Sequence, residues 1–114
     1  MVCMRVRGPI AALVGADSAV QFGSANVIPA PSVTLGVTDG SSIVLAFAGQ
    51  RSTDPDMTQP PTGMVNAAGG AGTSCVVGGN YTSNGVTSWS SANASVGGTA
   101  SGYATITLEV TGAV

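Results

Sequence analysis

The chain has 114 residues, enough for one domain with a single core, and only 7% are charged where an ordinary globular protein has about a quarter. It has no lysine or histidine; three arginines (Arg5, Arg7, Arg51) stand against five acids (Asp17, Asp39, Asp54, Asp56, Glu109), for a net charge of −2. Such a chain offers no cationic footprint for DNA or RNA, no histidine for Ser/His/Asp or Cys/His catalysis, and no His/Cys cluster for a metal.

The opening MVCMRVRGPIAALVGA holds an apolar patch, but Gly8 and Pro9 interrupt it, unlike the continuous core of a signal peptide. No window reaches the ~18 apolar residues of a transmembrane helix, so no membrane partner is expected. Within the opening, Val2, Met4 and Val6 alternate with Cys3, Arg5 and Arg7, which predicts a strand with one buried face. Ala11 to Ala19 is alanine-rich enough for a short helical turn, and Gly15 argues against more.

Ser32 to Val37 (SVTLGV) follows Pro29 and Pro31 and predicts a second strand. Ser42 to Ala48 (SIVLAFA) is the most apolar run and predicts a central strand covered on both sides, with Phe47 in the core. The two flank TDGS, whose Asp39-Gly40 pair is a tight-turn signal, so they read as a hairpin.

TQPPTGM, Thr58 to Met64, sets two prolines and a glycine between apolar runs. Neither proline extends a helix or a central strand, and Gly63 supplies backbone freedom, so the segment predicts a rigid corner. Beyond it lie a strand at Thr73 to Val77, a turn at Asn84-Gly85, and a run Val86 to Ser91 carrying the sole tryptophan, Trp89. The last run alternates cleanly, with Tyr103, Thr105, Thr107 and Glu109 on one face and Ala104, Ile106, Leu108 and Val110 on the other. Seven or eight short strands between turn signals predict an all-β fold, an antiparallel sandwich or jelly roll, in one domain spanning 1–114. Cys3 and Cys75 both sit in apolar runs and read as buried free thiols, a pairing staying open if the fold brings them together.

Chemistry-bearing candidates are few. Asp54 and Asp56 in STDPDMTQ fit a Ca²⁺ loop or an acid/base pair in type, but an Asp before Pro55 fits a hydrogen-bonded turn better. A glycosidase on that pair needs a further carboxylate across a cleft, such as Glu109 or Asp39. Trp89 beside Tyr81 fits a sugar-stacking platform in chemistry, while a lone tryptophan in a chain poor in aromatics fits a core or subunit-interface anchor. No catalytic residue and no cofactor is expected.

The order MRVRG, PAPSVTLGV, SSIVLAFAG, QPPTGM, a glycine-rich strand pair and GGTASGYATITLEV resembles the second half of β-sandwich domains in tailed-phage virion proteins. The resemblance implies a non-enzymatic bacteriophage structural protein, above all a capsid decoration or cement protein, with tail or fibre components as neighbours. It implies a virion location with assembly in the host cytoplasm. The partners implied are the major capsid protein or tail proteins and copies of this chain, a trimer being favoured. The Pro-Pro-x-Gly corner would carry the chain from one sheet to the other, and the lack of earlier strands implies either a reduced sandwich or a sheet completed by a neighbouring chain. Trp89, Tyr81, Phe22 and Tyr103 are the interface residues expected on this reading. The alternative is a carbohydrate- or receptor-binding sandwich on a fibre or cell surface, which requires Trp89 exposed in a shallow groove beside Asn80, Tyr81 or Asn93.

Overall fold

The structure is a computed structural model and describes residues 10–12, 18–25, 27–51, 60–71, 75–95 and 101–112. These residues form eight strands and no helix, as the β-branched, turn-punctuated sequence dictates. In chain order they are β1 (Ile10–Ala12), β2 (Ser18–Ala25), β3 (Val27–Ala30) and β4 (Ser42–Gln50). There follow β5 (Val65–Ala71), β6 (Val76–Tyr81), β7 (Ala92–Ser95) and β8 (Ser101–Gly112).

Two antiparallel sheets result. The larger runs β1-β8-β4-β6-β5, with β2 also beside β8, and the smaller is β3-β7. At 12 residues, β8 is long enough to hold β2 along Ser101 to Leu108 and β1 near Thr111, while its other side pairs β4. The apolar run of β4 lies between β8 and β6, the central position its composition predicts.

β3 lies over β4 and β8, which makes the arrangement sandwich-like. Ala30, Val33, Leu35, Val44, Ala46 and Met64 form the main core between the layers, and Ile28 with Val76 forms a second cluster. Burying side chains of this size contributes about 1.5–3 kcal/mol for each large one, so the two clusters dominate the stabilising term.

The proline corner holds in detail. Pro61 is buried and its carbonyl accepts the Met64 N–H at 2.9 Å, closing a turn over Pro61–Met64. Gly63 sits third in it with φ of 89°, the left-handed position that a type II turn demands of glycine, and Met64 enters the core. Its placement corrects the implied crossover: β4 before it and β5 after it belong to the same sheet, so the corner steps around β6.

Other expectations are corrected too. Ser32 to Val37 forms no hairpin with β4; only Val33 bridges, to Trp89. The segment keeps its alternation, with Val33 and Leu35 buried, but uses it to cross from the small sheet to the large one. Val86 to Ser91 makes only isolated bridges, Val86 to Ser42 of β4 and Trp89 to Val33 of the crossover. Of the strand expected at Thr73 to Val77, Thr73 and Ser74 lie outside the described residues, and β6 runs from Val76 to Tyr81. Phe47 is half-buried on the face of β4 away from the core, because Ser42, Val44 and Ala46 take the inner face. Cys75 is an exposed free thiol just ahead of β6, not a buried one. The Val2 to Arg7 strand and Cys3 lie outside the described residues.

β8 inverts the usual sense of its pattern. Thr105, Thr107, Glu109 and Thr111 are buried, whereas Ile106 and Leu108 are half-buried and Ala104 is exposed. The threonine face points at the small sheet; the aliphatic face pairs Leu108 with Leu45 and Ile106 with Phe47 on the outside.

Candidate interaction surface

The one buried charge among the described residues is Glu109, 2% exposed. Its Oε2 accepts the Gly36 N–H at 2.6 Å, and its Oε1 accepts the Val37 N–H at 3.1 Å and the Ser42 hydroxyl at 2.5 Å. Desolvation pushes this carboxyl up, but the hydrogen bonds from Ser42, Gly36 and Val37 outweigh it and hold the group below the ordinary glutamate range. These contacts replace the ladder that the 32–37 segment lacks and fasten the crossover to β8. Glu109 is therefore a positioned structural carboxylate, with no room to act across a cleft.

Asp39 is exposed and ends the same connection. Its Oδ1 accepts the Ser41 hydroxyl at 2.6 Å and the Ser41 N–H at 2.9 Å, which lowers its pKa, and Gly40 follows with φ of 91°. That is a local Asx-type turn. Asp54 and Asp56 lie outside the described residues. Among the described residues no three His, Cys, Asp or Glu side chains group as metal ligands.

The three aromatic candidates whose side chains are described do not converge on one site. Trp89 is half-buried and packs on the main core; its indole nitrogen is buried, and a side chain at Gly63 would lie 3.5 Å from its ring. Tyr103 packs against Ile28 and Val76, and its ring lies so close over Gly23 of β2 that a Cβ there would stand 2.6 Å from the phenol oxygen. Tyr81 ends β6 opposite Leu45 and Val65, on the outer side of the large sheet. Phe22 is in β2, its backbone opposite Ala104. Trp89 and Tyr103 thus serve the interior, while Tyr81 belongs to the outer side.

Two surface features escape the sequence reading. An open apolar groove of about 380 Å³ on the outer face is lined by Phe47, Val77, Ala104 and Ile106. Its signal is present in SIVLAFA, whose lack of alternation means apolar side chains on both faces. The second feature is β5, whose residues are exposed or half-buried along its whole length. No charged residue occurs between Asp56 and Glu109, so β5 lies in a neutral stretch of the chain.

Comparison with known proteins finds no family model, no curated protein and no solved structure that matches this chain.

Proposed function

We propose that this protein is a non-enzymatic structural subunit that works by repeated contact within an assembly, and that the assembly is a bacteriophage virion. A capsid decoration or cement role is the most specific form of this reading. The observation that supports it is the described surface. Among the described residues only Asp39 and Arg51 expose a charge, so the outer sheet face and the β5 edge are neutral and open to close approach. Solvated monomers ordinarily carry more charge than this. A subunit that lives against its neighbours has no such need, and many modest interfaces sum over symmetric copies.

The sugar-platform alternative needs Trp89 free in a shallow groove, and the indole is instead turned into the core. The test is sedimentation of the purified protein with candidate capsids. Saturable co-sedimentation, with a fixed ratio to the major capsid protein, is the expected result. Protein that stays in the supernatant at saturating particle concentration overturns the decoration role.

A further inference from the structure

We propose that β5 pairs edge to edge with β5 of a second copy, antiparallel, so that two large sheets join across a two-fold axis. Among the described residues β5 is hydrogen-bonded on one side alone, by β6, and it closes the strand order of its sheet. An open edge of this kind offers alternate N–H and C=O groups to any extended backbone. Natural edges are guarded by lysine, by proline, by inward-pointing charge or by a β-bulge. VNAAGGA has no lysine, proline or charge, and its register shift lies near its start.

The strand does carry one irregularity, a register shift between Asn66 and Ala68. The Asn66 amide donates to Asn80 Oδ1 at 3.0 Å, which folds the first residues of β5 onto its own sheet. The same amide also donates to the Ala68 carbonyl at 3.4 Å, so the open ladder is Gly69 to Ala71. A two-fold axis through Gly70 pairs residues of like parity and sets Gly70 opposite Gly70 and Gly69 opposite Ala71 of the second copy, with nothing larger than a methyl group in the way. Val65, 38% exposed, is one of two large apolar residues this exposed among the described residues, and it flanks that seam. The occupant is a second copy because this short ladder is complementary to itself and a net charge of −2 opposes self-association little.

Three residues of ladder span only about 10 Å, and a strip that short buries far less than the ~1,200 Å² of standard interfaces, so the dimer is weak. The phage resemblance implies a trimer, whereas an edge that meets its own copy closes after two.

This pairing does not rest on the virion role, since it is measured on the free protein and the role is measured on particles. The test is sedimentation equilibrium of the full chain from roughly 5 µM to 1 mM. The wild type should shift from monomer to dimer mass. The Val65→Lys/Ala71→Lys variant should weaken dimerisation at least tenfold with an unchanged circular dichroism spectrum, and Val27→Lys, at the other exposed valine, should leave it unchanged. A wild type monomeric at the top concentration, a trimer, or equal dimerisation in the edge variant each overturns the proposal. If the edge variant loses its native spectrum, a single Ala71→Lys replacement carries the same expectation.

Discussion

Replacing Glu109 by Gln keeps the side chain's volume but exchanges two anionic acceptors for one neutral one. The Ser42 hydroxyl tolerates the change, because it also lies 2.8 Å from the Val37 carbonyl and can donate there. The Gly36 and Val37 N–H groups do not share this escape: one keeps a neutral acceptor and the other meets the amide NH₂. A hydrogen bond to a charged group contributes about 1.5–3 kcal/mol and a neutral one about 0.5–1.5, while exposed Gly36 regains some hydration. The expected loss is about 2 kcal/mol at neutral pH, which lowers Tm by roughly 8 °C in a domain of this size. The sign of the pH dependence follows from the lowered folded pKa of Glu109. Its contribution is present above the unfolded value, about 4.3, and disappears as pH falls through the folded pKa. Urea unfolding of wild type and Glu109→Gln from neutral to strongly acid pH should show the full gap above about pH 5 and convergence in acid, where the protonated carboxyl resembles the amide. A gap below about 0.5 kcal/mol at neutral pH, or one that persists unchanged through acid, refutes the argument, since the hydrogen bonds to the charge would then contribute no more than neutral ones.

Gly85→Ala places a methyl 1.8 Å from the Gly40 carbonyl oxygen, a backbone atom that cannot swing aside. It should cost about 1–3 kcal/mol in urea unfolding, and a midpoint equal to wild type contradicts the close approach. Thr107 is fully buried and its hydroxyl has no hydrogen-bond partner, so Thr107→Val should raise stability by about 1 kcal/mol with an unchanged denaturant slope. A loss of stability would mean that the hydroxyl is satisfied in solution.

Local chemistry makes much of this fold legible. β4 and β8 announce themselves by an apolar run and by strict alternation, and PPTG encodes its turn because proline fixes φ and only glycine accepts 89° cheaply. β3 is hidden because its proline disguises a strand in a two-stranded sheet, and β5 because glycine and alanine carry no pattern. The aromatic candidates are visible as residue types, but their spacing says nothing of which side of the sheet each takes.

By itself the sequence determined an all-β domain with a rigid proline corner, a nearly neutral surface and no histidine chemistry. Those properties belong to residue types and to neighbours in the chain. Only the tertiary structure decided that the threonine face of β8 is the buried one, that Glu109 reaches back 73 residues to fasten Gly36, and that β5 is left at an edge. Alternation defines two faces of a strand without saying which will be covered. That choice is made by what packs on top, here β3 and the crossover, and it depends on contacts between residues far apart in sequence.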